Sequence, residues 1–516
     1  MQTFYDADLD LQINGNMKFD PKKYAYSFQA ALDMIKRIEN GEIVNHTSVK
    51  AESEDRPVDH YNLRMKEEKV PGKSLAHTLK QWEEVQKFVQ GQKCKHVIFN
   101  GIGGSYLGPF MLLTAIYGDE YNAVQAREGR PELHFVANTD SDSFSQLFHI
   151  IDIKETLMVV ISKSGSTAET ATNTNVFSEL CTKAGLNPAD HMCAVTIHGS
   201  NLFKKATEQK WCGCFEMNEA TGGRTSICSA VSMVSCAFSN IDFSQFVKGM
   251  SQMDEATRRE DYQRNPALII SALIDNYLQK SSVPKNMIIL GYSDALKQYY
   301  HYCQQLYMES LGKEYTIDGR YGPKGLTVYG GIGTAEQHAF MQQIQKGAND
   351  SFVKFIQFQK RRFEDYADAK AGSMGRQLLA FLQGTQLALE QNGKNYMCVT
   401  VKECSPFCIG QLIALEERIV TCLAAFWAIN AYDQPGVQDG KLAAGRVNKL
   451  SIEIDTHLSA CEGLTAEQTM KKLDLNENVK LVESLLNDMC YNPASYTTSL
   501  RGTREFKDGY FYYTFK

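Results

Sequence analysis

The 516-residue chain contains no uninterrupted apolar stretch of the roughly 20 residues that a bilayer-spanning helix needs. Its opening run, MQTFYDADLDLQ, has no basic segment followed by an apolar core. A soluble protein of the cytoplasm is the expectation. Long Lys/Arg runs are also missing and the net charge is −6, which argues against nucleic acid or an anionic membrane as the main partner. Cysteine is plentiful, at fourteen residues, but it lacks pattern. Cys212-Gly-Cys214 is the only tight pair, no second pair stands at metal-site spacing, and Cys94 and Cys193 are isolated. Neither a zinc site nor a disulfide framework is supported. Buried free thiols are expected instead, as at Cys228, Cys236, Cys303 and Cys422 inside apolar segments. Two nucleotide signatures are absent as well. No spaced Gly precedes a Gly-Lys-Ser/Thr, and in Gly101 to Gly108 the third glycine of a dinucleotide fingerprint would fall at Tyr106. A triphosphate loop and hydride transfer are therefore not implied.

What the chain does contain is a place to hold a phosphate monoester. From Leu157 to Thr170 it reads LMVVISKSGSTAET. Leu157 to Ile161 has the length and branching of a buried parallel strand. Ser166 and Glu169 stand at capping-box spacing for a helix starting near Thr167. The turn between them aims free backbone N–H groups and a positive dipole end at one small volume, which also holds Ser162, Lys163, Ser164 and Thr167. Such turns are common in parallel α/β proteins, so a second one matters. The strand-like His96 to Asn100 leads into Gly101-Ile-Gly-Gly-Ser105-Tyr-Leu-Gly108, where the glycines allow close backbone approach and Ser105 is placed to cap the next helix.

Short β-branched runs alternate with helical stretches. Val97 to Asn100, Leu133 to Ala137, Leu157 to Ile161 and Cys193 to Ile197 are followed, after a charged helical stretch around Gln252 to Arg264, by Met287 to Leu290, Leu326 to Tyr329 and Phe352 to Ile356. The alternation predicts parallel sheets covered by helices on both faces, in two similar α/β units. Residues 1–90 read as a mostly helical extension, 91–245 as the first unit, 246–430 as the second and 431–516 as a C-terminal segment. A long apolar helix is expected from Cys404 to Ile429.

Four further stretches carry chemistry-bearing residues, each with a bland alternative. Gly222-Gly-Arg224-Thr-Ser226 sets a guanidinium before a small apolar helix, Ile227 to Phe238, although most arginines are solvated or structural. Gln305 and Glu309 share one face of the helix Ala295 to Leu311, where a lone Glu is usually a surface residue. Thr334 to Gln337 has capping-box spacing, with His338 beside it, and such a His is more often a structural donor. Asp433 to Lys441 reads as a tight turn leading to a lysine of the kind that commonly faces water.

Together and in this order, these segments resemble the glucose-6-phosphate isomerase family. Its signatures look like G-I-G-G-S-x-L-G-P, S-K-[ST]-x-[ST]-T-x-E-T, G-G-R-x-S, E-S-x-G-K, G-T-x-x-Q-H-[AS]-F and D-Q-x-G-V-x-x-G-K. They stand here at Gly101 to Pro109, Ser162 to Thr170, Gly222 to Ser226, Glu309 to Lys313, Gly333 to Phe340 and Asp433 to Lys441. Arg56-Pro-Val-Asp-His60 is similar to an N-terminal R-A-V-L-H segment. The chain departs from the pattern at Gly165, where a bulky residue is usual, at Ala335, where Asn is common, and at Pro57 and Asp59.

The resemblance implies an α/β fold of two tandem sugar-isomerase (SIS-type) doubly wound parallel-sheet domains with helical extensions. It implies reversible aldose–ketose isomerisation of glucose 6-phosphate and fructose 6-phosphate, through ring opening and a cis-enediol, in glycolysis and gluconeogenesis. By resemblance, Glu309 is the base that shuttles the proton, Arg224 stabilises the enediolate, and His338 with Lys441 opens the ring. Gly104, Ser105, Ser162, Lys163, Ser164, Thr167, Gln305 and Gln434 would hold substrate. No cofactor or catalytic metal is implied. A homodimer is, with the histidine reaching the site from the neighbouring subunit. A dual phosphoglucose/phosphomannose isomerase stays open; a non-catalytic sugar-phosphate-binding regulator is the rival reading, and the joint presence of Glu309, His338 and Lys441 speaks against it. An aminosugar synthase on the same fold is disfavoured, because no Cys nucleophile follows Met1.

Overall fold

The computed structural model describes residues 3–123, 128–280, 285–370, 372–497 and 500–516. These form two compact units, Met1–Asp433 and Gln434–Lys516. The first unit holds two sheets. In one, the parallel strands run in the order Glu132–Val136, His96–Asn100, Thr156–Ile161, Met192–Thr196, Gly213–Glu216. Numbered along the chain this is 2-1-3-4-5, so the order reverses between His96–Asn100 and Thr156–Ile161. Ligands of open α/β sheets bind outside the carboxyl ends of the strands at such a point. The two Ser/Gly-rich loops, 101–108 and 162–167, leave from this pair of strands.

The other sheet repeats the plan. Its parallel core runs Asn395–Glu403, Ser351–Lys360, Asn286–Gly291, Thr327–Ile332, which is the same 2-1-3-4 winding read from the opposite edge. The place of a fifth strand is taken by Leu11–Gly15, antiparallel to Asn395–Glu403, with Phe4–Asp6 beyond it. The N-terminal stretch therefore contains strands that a helical reading omitted: Leu11 and Ile13 are fully buried, and alternation over five residues is too short to distinguish from a loop.

The strand Thr156–Ile161, apolar after its first residue, is buried along its whole length, as a parallel strand covered on both faces must be. The apolar run near residue 404 forms the helix Pro406–Trp427, capped by Ser405, whose hydroxyl accepts from the Cys408 N–H. This helix runs through the largest core and carries Glu416, Glu417 and Arg418 at its buried centre.

Several local expectations are corrected. Ser105 is not a cap; the helix Gly104–Tyr117 is capped by Gly103 at φ 59°, a conformation open to glycine. The helix Ala168–Lys183 starts from Thr167 without a side-chain cap bond, and the Ser166 hydroxyl pairs with Ser164 instead. Residues Gly223–Cys228 form a 3-10 turn, so the following helix is Ala230–Ser239, capped by Ser229. Likewise a 3-10 turn, Asp294–Leu296, precedes the helix Tyr299–Leu311. Thr334 makes no cap bond; Gln337 donates to the Tyr292 hydroxyl and to Thr385, tertiary partners preferred over the local one.

The second unit holds the helices Pro435–His457, Ala466–Leu473 and Val479–Tyr491 and a sheet of Cys461–Leu464, Tyr510–Phe515 and Gly502–Lys507. The tight turn expected at Asp433 to Lys441 is the start of the first of these helices, with Pro435 at its first position. The side chain of Gln438, within that motif, lies outside the described set. No helix of the described residues is long and apolar enough to cross a membrane.

Candidate active site

Three loops and one helix of the first unit meet at the switch point. Gly104 begins its helix directly against the Gly223 carbonyl, and any Cβ there would overlap it. Gly103 has no side chain to displace the Gln305 amide, whose Nε2 lies 3.1 Å from where its Cβ would be. Gln305 Nε2 then donates to Glu309 Oε2 at 3.1 Å, as expected for residues four apart on the helix Tyr299–Leu311. The same oxygen of Glu309 is 2.9 Å from Arg224 Nη1. Arg224 is buried and held from behind, its Nη2 donating to the carbonyls of Ala431 at 3.1 Å and Asp433 at 2.6 Å. Glu309 keeps a side chain 16% exposed, so a ligand can reach it.

The Ser/Gly-rich loop 162–167 closes on this cluster from the other side. Lys163 Nζ donates to the Thr221 carbonyl at 2.9 Å, tying the loop to the turn that carries Arg224. Burial, with Arg56 nearby, lowers its ammonium to about 8. Buried Ser162 donates to Thr167 Oγ1 at 3.3 Å and accepts from the Gly165 N–H at 3.1 Å. Ser164 and Ser166 are exposed and bonded to each other at 2.6 Å. Gly165 has φ +72° and its missing Cβ would run into the backbone N of Leu202, so the bulky residue usual in the resembling family does not fit this loop as folded. Ser105 lies half-buried in the first turn after Gly104.

Sequence reasoning assigned no role to the groups that brace the site. Lys313 Nζ reaches Asp433 Oδ1 at 2.8 Å and donates to the carbonyls of Asp433 at 2.8 Å and Glu309 at 2.9 Å. It locks the end of the Glu309 helix to the strand of chain that also holds Arg224. Burial and the neighbouring Arg224 lower this lysine, against the pull of Asp433. Asp59 accepts from Thr221 Oγ1 and from Lys73 Nζ, both at 2.6 Å, and so fixes the residue whose carbonyl Lys163 uses. The available signal was position: Lys313 ends one quoted motif, Asp433 opens another, and Asp59 is one of the departures from a third.

Not every expected residue joins the cluster. His338 ends the 3-10 turn Ala335–His338 after the strand Thr327–Ile332 and is exposed. Among the described residues no hydrogen bond or ion pair ties it to Glu309. Gln434 is the N-cap residue of the helix Pro435–His457, and Lys441 lies on its exposed part, in the second unit. A cavity of about 880 Å³ opens at the carboxyl end of the second sheet, among Tyr292, Thr334 and Gln357, but none of Arg224, Glu309 or Lys163 lines it. The convergence of charged and hydroxyl groups, not volume, marks the site.

Residues 25–467 match the family model described as phosphoglucose isomerase. The chain belongs to this family. It is 34% identical over 509 residues to a glucose-6-phosphate isomerase of Geobacter sp. strain M21, covering 95% of this chain and 93% of that one. The corresponding protein of Geobacter sulfurreducens is 35% identical over 510 residues, with the same coverage. A crystal structure of a glucose-6-phosphate isomerase from Chlamydia trachomatis has a TM-score of 0.77 at 25% identity, over 87% of this chain and 90% of that chain. The fold is shared more widely: a hypothetical protein from Thermus thermophilus reaches a TM-score of 0.69 at 22% identity, over 84% of this chain and 99% of that chain. The family membership and these neighbours agree with the tandem sugar-isomerase architecture seen in the two sheets.

Proposed function

We propose that this chain interconverts glucose 6-phosphate and fructose 6-phosphate as an aldose–ketose isomerase, and that it does so in the cytoplasm as a homodimer. The observation that carries the reading is the Arg224–Glu309 pair, 2.9 Å apart beside two phosphate-type loops at the switch point. In the reaction a carboxylate takes the C2 proton of the open-chain aldose while the C1 oxygen gains one, giving a cis-enediol; the same proton, returned to C1 as the C2 hydroxyl gives up its own, gives the ketose. Glu309 is the carboxylate that carries it. Arg224, already fixed by two backbone carbonyls, meets the developing enediolate charge without reorganising. Ser162, Ser164, Thr167 and Lys163 take the phosphate, with the first turn at Gly104 and Ser105, and Gln305 and Gln434 contact the sugar hydroxyls. His338, supplied by the neighbouring subunit, and Lys441 open the ring. Boundaries near residues 90, 245 and 430 divide the chain into extension, two sugar-isomerase domains and C-terminal segment.

Glu309→Gln tests the assignment. It preserves shape but not basicity, so turnover should fall by roughly a thousandfold or more while the affinity of a competitive sugar-phosphate inhibitor changes little. If the variant kept a tenth of wild-type turnover, Glu309 would not be the base.

A further inference from the structure

At the far end of the first sheet stands a group that the isomerisation does not use. His96 opens the strand His96–Asn100, and Glu132 opens the neighbouring edge strand, which carries His134 two residues later. The parallel register sets His96 opposite Glu132 and Ile98 opposite His134, so the pleat brings all three side chains to one face. His96 Nδ1 is 3.0 Å and His134 Nε2 3.5 Å from the same carboxylate oxygen, Glu132 Oε2. The ligand atoms of the three residues all lie within 4.8 Å of one another.

We propose that His96, Glu132 and His134 form a binding site for a borderline divalent transition metal, of which zinc is the type. Ligands bonded to zinc at about 2.0–2.1 Å in tetrahedral array are roughly 3.3–3.4 Å apart. The two His–Glu separations bracket that spacing and the His–His separation lies within 4.8 Å, so closing around an ion asks the imidazoles to approach each other by at most about 1.5 Å. Two imidazoles and one carboxylate suit zinc, cobalt or nickel over magnesium or calcium, which call for oxygen ligands. The side chains are 13%, 23% and 13% exposed for His96, Glu132 and His134, so the ligands are shielded without being sealed from solvent. The edge strand is already held in place: Asn122 accepts from the Leu133 N–H and donates to the Leu133 carbonyl, both at 2.9 Å, between the two ligands it carries. Arg130, two residues before Glu132, donates to Ser239 and Tyr117. At about 3.3 Å per residue, His96 is roughly 13 Å along its strand from the phosphate-side loop, so the ion clamps the edge strand and takes no part in isomerisation.

Chelator-stripped full-length protein titrated with zinc should bind one equivalent at this site, and zinc should raise its unfolding temperature. His134→Asn and Glu132→Gln should each weaken zinc by at least about tenfold and abolish the thermal shift, with isomerase activity unchanged. Retained activity also reports that the variants fold. Fourteen cysteines offer competing ligands, so cobalt substitution of the wild type supplies a reading that needs no variant. Visible bands of a four-coordinate site without a thiolate charge-transfer band support the assignment. A thiolate band, no saturable binding, or equal affinity in the variants would overturn it.

Discussion

Lys163 is a lysine that burial has made conditional. Held against the Thr221 carbonyl with its pKa lowered to about 8, it is charged at neutral pH but loses its proton within the range of ordinary assays. A phosphate monoester is already dianionic above pH 7, its second pKa being about 6. Inhibitor affinity should therefore fall as pH rises through about 8, in step with the loss of the ammonium. Lys163→Gln should weaken the inhibitor at pH 7 by about 10- to 100-fold, the worth of a hydrogen bond to a charged group, and should flatten that alkaline limb. An unchanged limb in the variant, read from competitive inhibition constants between about pH 6.5 and 9, would assign the titration to another group. For stability the sign is opposite. The unfolded chain binds the proton up to about 10.5, so between about 8 and 10.5 this residue favours the fold more as pH rises. His60 is a second buried base, pushed well down by burial and then by Arg64 and Arg418, and it stays neutral inside the fold.

The helix Tyr299–Leu311 presents Gln305 and Glu309 on one side and is bolted to the core on the other. Tyr299 and Tyr307 each donate to a Glu416 oxygen at 2.6 Å, and the fully buried Lys354 from the strand Ser351–Lys360 completes the cluster at 2.6 Å. A second buried network lies one residue along, where Arg64 bridges Asp254 at 2.6 Å and Glu417 at 2.5 Å, and Arg418 joins Asp254 and Glu39 at 2.8 Å. Against the burial that would raise it, Arg418 and Arg64 hold the Asp254 carboxyl down. Removing one partner of such a pair leaves an uncompensated charge at a cost of about 3–5 kcal/mol. Lys354→Met and Glu416→Leu should each lose about that much in urea unfolding, and the double variant should lose clearly less than the sum. Strict additivity would mean that the two do not act as a pair. The apolar pattern of this central helix was legible in the sequence. Its charged centre was not explained there, because the partners of Glu416, Glu417 and Arg418 stand tens to hundreds of residues away and no spacing rule reaches them.

At the scale of the whole molecule, the exposed position of His338 gives the dimer proposal a decisive form. If the histidine serves a neighbour's Glu309 and Arg224, then His338→Ala and Glu309→Ala, unfolded and refolded together, form mixed dimers with one complete site. With random pairing half the dimers are mixed, so about a quarter of all sites should regain activity. A site built within one chain recovers nothing, since each chain then carries a defect. A tagged-heterodimer control must show exchange; with exchange present and activity absent, the shared site is refuted.

The ordered motifs, the alternation of strands with helices and the Gln305–Glu309 spacing were fixed by local chemistry, because each depends on residues a turn or a strand apart. They suffice for the fold class, while the roles of Arg224, Glu309 and the 162–167 loop came from the resemblance of the ordered motifs to the family. Capping was less legible at Ser105, Ser166 and Thr334: glycine took the cap before Ser105, Ser166 paired with its neighbour Ser164, and Gln337, the box partner of Thr334, bonded to Tyr292. Only the folded chain could decide that Leu11–Gly15 completes the second sheet, that Lys313 and Asp433 lock the Glu309 helix, and that His96, Glu132 and His134 share one face. Those outcomes depend on strand order and on contacts between segments far apart in sequence, whose energy exists only after the chain has closed the loops between them.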